Sequence, residues 1–311
     1  MTNPYLDPAR VRAALRALDV RPSRELGQNF LIDPAALTAI ADAAYLTPND
    51  TVLEVGPGLG VLTWELLRRA ERVISVELDK RLAERLAQEF ATEPRFTLVQ
   101  GDILRHAPGE LLGTAHAEPG ADTLPTPTAA TQPFSYKVVA NLPYQITSAA
   151  LRHFLEAAVK PTLIVVLVQW EVAERICAGP GDLSVLAHSV QLYAEPEIVA
   201  RVPAASFFPT PAVDSAILRL RVRPSPAADI PPDALMKLIK AGFLQARKKL
   251  ANALPTGLAS MRIQLPKAQA LAALEAAGVD PNRRAETLTL QEWVRLYRAL
   301  YASGTSDTPH E

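Results

Sequence analysis

Apolar positions follow two rhythms along this 311-residue chain. Short apolar runs at 51–55, 73–77, 96–99, 137–142 and 163–169 predict strands, and helical periodicity fills 60–69, 78–90 and 147–159 between them. The unbroken run from Leu163 to Val168 predicts a strand buried on both faces. Two helices are signalled earlier. Asp7-Pro8 and Asp33-Pro34 each set a capping side chain before a proline at the first helical position, opening helices to about Leu18 and Tyr45. Strands alternating with helices predict an α/β, doubly wound, mostly parallel sheet. Residues 197–202 and 216–222 are β-rich and close in sequence, so they are expected as an antiparallel addition at one sheet edge.

Residues 112–135 are rich in Ala, Pro, Thr and Gly and lack periodicity, which predicts a long surface loop. Residues 224–232 read as a linker. Beyond it, helical patterns at 233–245, 246–254, 266–277 and 290–301 predict a small all-α domain. The expected domains are therefore 1–223 and 224–311, with the last ten residues frayed.

Composition narrows the class. Hydrophobic content is 49% and charged content 21%, which is globular. The longest apolar run is far short of the ~20 residues that a membrane helix needs. No basic segment leads into an apolar run at the N-terminus, so a cytoplasmic protein is expected, with no membrane partner. The one cysteine, Cys177, allows no intrachain disulfide. One cysteine and five scattered histidines do not make a metal cluster of usual spacing, so no metal is expected. Net charge is −1, but it is unevenly spread: from Arg223 onward there are twelve Lys/Arg against eight Asp/Glu, and the first thirty residues hold five Arg against three acids. Basic ends around an acidic centre suit a backbone-binding rim around a pocket, and equally suit solvated helix faces.

Candidate chemistry gathers at the strand ends. Gly56-Pro57-Gly58-Leu59-Gly60 joins a strand to a helix, where glycines let the backbone approach a ligand closely. The G-x-G-x-G spacing departs from the dinucleotide fingerprint, and Pro57 lacks an N–H where a phosphate would want one. A cofactor without a pyrophosphate fits better. Glu77 ends the next strand, where a carboxylate can accept from both ribose hydroxyls. Asp102 follows the third strand, where it can accept from an adenine amino group while Ile103 packs near the ring. Gln28 and Asn29, beside Phe30 and Leu31, can close the pocket from above, or simply form a capped loop. Asn141-Leu142-Pro143-Tyr144 ends a fourth strand. An amide, a backbone carbonyl and a ring there can hold an exocyclic amine and stack on its base, although alone the tetrapeptide also reads as a proline turn. Phe207, on the stiff Ser206-Phe-Phe-Pro-Thr-Pro211 loop, is either a stacking partner for that base or a hydrophobic plug.

Seven segments in order resemble the small-subunit ribosomal RNA adenine N6,N6-dimethyltransferases of the kasugamycin-resistance type: 27–31, 54–60, 76–79, 101–103, 141–144, 169–175 and 207–215. The resemblance covers most of the chain. It implies a Rossmann-like class I methyltransferase domain with a small helical C-terminal domain that docks on the assembling subunit. Asn29, Leu31, Gly56, Glu77, Asp102 and Asn141 would contact S-adenosyl-L-methionine. Gln28, Gly58 and Ile103 adjoin them. Asn141, Leu142, Pro143 and Tyr144 would hold the target adenine, and Phe207 would cover its other face. The implied substrate is a pair of adjacent adenines in a hairpin loop near the 3′ end of small-subunit rRNA. The chain departs from the family at Glu25 and Leu26, at Trp170 where a Lys is usual, at 178–184, which is short, and at 112–135, which is long. Two other functions share the fold: a large-subunit rRNA adenine methyltransferase of the macrolide-resistance type, and a non-catalytic assembly or transcription factor. Nothing in the chain implies an oligomeric state.

Overall fold

In the computed structural model, residues 3–20, 28–114 and 135–302 are described. Glu25, Leu26, Gly27, most of the expected 112–135 loop and the C-terminal residues expected to fray lie outside them. Nine strands are found among the described residues: β1 (Phe30–Leu31), β2 (Thr51–Val55), β3 (Arg72–Glu77), β4 (Phe96–Gln100), β5 (Tyr136–Asn141), β6 (Leu163–Gln169), β7 (Ala194–Val202), β8 (Phe207–Phe208) and β9 (Ser215–Val222). Seven of them form one sheet in the order β4-β3-β2-β5-β6-β9-β7. β4, β3, β2, β5 and β6 run parallel, and β9 pairs antiparallel with β6. The order reverses between β2 and β5, so a crevice opens there at the C-terminal strand ends. The edge addition expected from the sequence is β9 and β7, with β9 inserted between β6 and β7.

β6 shows why this sheet is covered on both sides. Leu163, Val165 and Leu167 belong to one core cluster with Leu37 and Ile40 of the helix Pro34–Ala43. Ile164, Val166 and Val168 point the other way and are also fully buried. An uninterrupted apolar strand is what a two-faced burial requires. The same cluster takes Leu62 and Leu66 of the helix Val61–Leu67, and Leu82 and Leu86 of the helix Lys80–Glu89. Caps set the helix starts. Asp33 Oδ1 accepts from Ala35 N at 2.9 Å, and Asp79 Oδ1 from Arg81 N at 2.9 Å.

The chain forms two compact units, Met1–Ala173 with Pro196–Val222, and Glu174–Glu195 with Arg223–Glu311. Residues 174–195, which the sequence reading assigns to the first domain, therefore group with the C-terminal helices. The physical reason is local. His188, on the helix Val185–Gln191, makes edge contacts with Phe243 and Trp293, and Leu183 N donates to Glu286 O at 3.2 Å. The helix expected at 246–254 instead spans Leu250–Ser260 and runs through Pro255. Three more helices, Pro108–Thr114, Trp170–Cys177 and Val185–Gln191, were not anticipated.

Candidate active site

The first turn of the site is built by glycine. Gly56 and Gly58 both sit at φ 62°, which L side chains rarely adopt, so the chain reverses after β2 without strain only because these positions lack a Cβ. A Cβ at Gly58 would also lie 3.0 Å from the Phe30 ring. Gly58 N, freed by the turn, donates to Glu77 Oε2 at 3.0 Å. Glu77 Oε1 accepts from Asp79 N at 2.9 Å. Its carboxylate is thereby fixed at the tip of β3, one strand away from the glycine turn.

A cavity of about 220 Å³ opens at these strand ends. Gln28, Asn29, Leu31, Gly56, Gly58, Glu77, Asp102, Ile103 and Asn141 all line it. The parallel register explains the gathering. Val55 is level with Val76, Glu77 with Gln100, and Asn141 with Leu167, so residues far apart in sequence end their strands at one edge. Asp102 caps the short turn that follows, its Oδ1 accepting from Leu104 N at 3.0 Å.

Among the described residues the lining carries four carboxyl groups, Glu54, Glu77, Asp79 and Asp102, and no Lys, Arg or His. Burial raises the Glu77 pKa, opposed by backbone N–H groups of Asp79, Gly58 and Leu78. Glu54 is the strongest case, and the sequence reading did not single it out. It is 1% exposed, and burial pushes it up to about 7, against hydrogen bonds from Ser75 and Thr63. Thr63 Oγ1 and Ser75 Oγ each donate to Glu54 Oε2 at 2.7 Å, while Oε1 is buried without a partner. The available signal was an acid inside an apolar strand, since a glutamate so placed is almost never buried without a task or a partner. An acidic, mostly apolar cavity repels phosphates and suits a cationic ligand with a planar apolar part.

On the acceptor side, Asn141 Nδ2 donates to Asn29 O at 2.9 Å. That bond sets the amide orientation and leaves Oδ1 as the acceptor in the cavity wall. Pro143 lines the cavity, Leu142 is buried, and Tyr144 is half-buried with its hydroxyl 2.8 Å from Ser215 Oγ. Phe207 is different. The sequence reading places its ring over a base, but here it is 1% exposed and belongs to the core cluster. Its partner across the β1–β8 ladder is Leu31, also buried, while Phe208 opposite Phe30 takes the half-exposed position. As placed, Phe207 supports Leu31 from behind, which is the plug alternative.

The model of the ribosomal RNA adenine dimethylase family matches residues 21–301. The chain belongs to that family. A protein named ribosomal RNA small subunit methyltransferase A from Dehalococcoides mccartyi is 44% identical over 289 residues, covering 93% of this chain and 91% of that protein. One of the same name from Moorella thermoacetica is 39% identical, covering 94% and 97%. Among solved structures, a dimethyladenosine transferase from Plasmodium falciparum superposes with a TM-score of 0.67 at 25% identity, over 86% of this chain and 95% of that one. The 23S rRNA methyltransferase ErmE superposes at 0.63 with 30% identity, over 88% and 99%. The dimethylase fold is thus a class I methyltransferase sheet, here with a helical C-terminal unit.

Proposed function

We propose that this adenine dimethylase transfers methyl groups from S-adenosyl-L-methionine to N6 of two adjacent adenines in a hairpin loop near the 3′ end of small-subunit rRNA, on the assembling subunit in the cytoplasm. The observation that carries the reading is the junction at Asn141: one amide touches the acidic cavity and offers an acceptor beside Tyr144. S-adenosylmethionine fits that cavity by chemistry, being cationic, free of phosphate and partly planar. When bound, it supplies an electrophilic methyl group.

The chain's own residues do the rest. Glu77 would accept from ribose hydroxyls and Asp102 from the donor's adenine amine, while Gly56 and Gly58 let the backbone come close. Gln28, Asn29, Leu31 and Ile103, which line the cavity, would enclose it. An adenine N6 lone pair is delocalised into the ring, so the amine is a poor nucleophile. Hydrogen bonds from N6 to Asn141 Oδ1 and the Leu142 carbonyl would pull the nitrogen toward tetrahedral geometry and aim its lone pair. The donor would supply the methyl group to N6, and the proton shed by N6 would pass to water. Alignment and electrostatics carry the acceleration. Tyr144 would stack on the extruded base, offsetting part of the unstacking cost at ~1–3 kcal/mol. Pro143 holds the turn that presents both groups. Phe207 would reach the base only if its loop moved out of the core.

The second reading, a large-subunit enzyme, has the ErmE superposition in its favour. The higher identity to proteins named for the small subunit supports the first. Labelled methyl incorporation into undermethylated small and large precursor subunits separates them. Label in small subunits, mapped to adenine N6, is expected; label in large subunits alone overturns the assignment.

A further inference from the structure

The sheet corner beside Tyr144 holds an arrangement that methyl transfer does not use. Trp170 directly follows β6, and its backbone N donates to the Asp214 carbonyl at 3.0 Å, just before β9. Gln169 and Ser215 are cross-strand partners, and Ser215 Oγ lies 2.8 Å from the Tyr144 hydroxyl. Trp170 and Asp214 are therefore fixed next to the acceptor side. The Arg201 guanidinium lies over the Trp170 ring, with Cζ 4.6 Å from the centroid. Arg201 Nε donates to Asp214 Oδ2 at 2.8 Å, and Asp214 Oδ1 accepts from Ala204 N at 2.9 Å.

Arg201 is thus held at two points, yet its side chain remains 57% exposed. Both contacts spare its terminal nitrogens, and among the described residues no acceptor lies against them. Stability does not account for the arrangement. An exposed ion pair and an exposed cation–π contact each contribute little in water. Ordering a long arginine side chain costs rotamer entropy that offsets them. What the arrangement does provide is a guanidinium already oriented with its fork outward, the geometry that recognises phosphate in two parallel hydrogen bonds.

We propose that Arg201 binds a backbone phosphate of the single-stranded RNA next to the target adenine, with Trp170 and Asp214 as positioning residues. The proposal rests on the rRNA adenine reading above. The base must leave its stack to reach Tyr144, so the strand beside it is unpaired at this corner. The cation is carried by the end of β7 and laid over the Trp170 ring.

The test uses the full chain and undermethylated small subunits. Arg201→Gln should raise KM for subunits about tenfold and lower kcat less than threefold. The slope of log affinity against log salt should become shallower by the share of a single phosphate, ~0.7. Arg201→Lys should keep much of the salt slope but still raise KM, because lysine retains the charge and has no Nε to tether while presenting a fork. Trp170→Ala should shift KM in the same direction, and the double variant should add little to Arg201→Gln alone. S-adenosylhomocysteine binding, measured by calorimetry, should stay at the wild-type value throughout. A wild-type KM and salt slope in Arg201→Gln overturns the proposal alone. No methyl transfer to any subunit by the wild-type protein overturns the parent reading and this proposal with it.

Discussion

Glu54 ties stability to donor binding through a single proton. Its pKa rises from an ordinary 4.5 to about 7 on folding, chiefly because it is buried. A carboxyl raised by folding stabilises the protein in its protonated form. That contribution is complete below about pH 4.5 and is lost as pH rises through about 7. Glu54→Gln keeps the shape and an acceptor for Thr63 and Ser75. Urea unfolding of the ligand-free protein near pH 8 should find the variant more stable, by on the order of 3 kcal/mol, with the difference gone at acid pH. A cationic donor favours the ionised carboxyl, so donor affinity of the wild type should strengthen as pH rises through 7 and that of the variant should not. Asn141 makes the opposite trade. Asn141→Ala should abolish methylation while S-adenosylmethionine affinity falls only a few-fold, because it trims the cavity wall slightly and removes the whole N6 acceptor; normal turnover would sink the proposed role. At this scale the sequence was legible wherever a strand end could be located: Glu77, Asp102 and Asn141 each follow an apolar run. Glu54 hid inside such a run. Phe207 and Phe208 differ only by which face of a two-residue ladder they occupy, and a one-residue register exchanges buried for exposed.

The sheet strands were readable because burial on both faces leaves an apolar run with a polar residue at its exit. The short helices Trp170–Cys177 and Val185–Gln191 were not. Val185–Gln191 packs against the helix Pro232–Phe243, and no local periodicity reveals a partner elsewhere in sequence. The helix Leu250–Ser260 gives a further lesson. The sequence pattern ends it at Leu254, yet Pro255 stands within it, an exception to the cost that an interior proline carries. Close packing by a glycine accompanies it. A Cβ at Gly257 would come 2.0 Å from the Ala241 carbonyl oxygen on the helix Pro232–Phe243, a backbone atom that cannot step aside. Gly257→Ala, normally neutral or favourable in a helix, should here cost about 1–3 kcal/mol or more of helical-unit stability. Circular dichroism melts should show this loss without a change in donor affinity, since the donor cavity lies in the other unit.

Charge is the one property of the whole chain that composition understated. A net charge of −1 argues against nucleic acid, but it averages over a cavity whose described lining is acidic and a C-terminal part that is basic. From Arg223 onward the balance is +4, and Arg247, Lys248 and Lys249 are three consecutive exposed cations ahead of the helix Leu250–Ser260. Lys249 Nζ already donates to Asn282 Oδ1 at 2.9 Å, so its loss would also cost a local hydrogen bond. Arg247 and Lys248 are the cleaner test. Replacing both by Glu should weaken subunit binding most at low salt and flatten the salt dependence by roughly 0.7–0.9 for each phosphate that is no longer neutralised. Turnover on bound subunits and donor affinity should be spared. A helix face that is merely solvated gives an unchanged slope, which would return the docking role to cations nearer the acceptor corner. The two sets of variants, at 247–248 and at 201, should combine additively in affinity, because they sit in separate units and share no partner. Measured together across salt, they apportion the electrostatic part of recognition between strand positioning at the target base and docking by the helical unit.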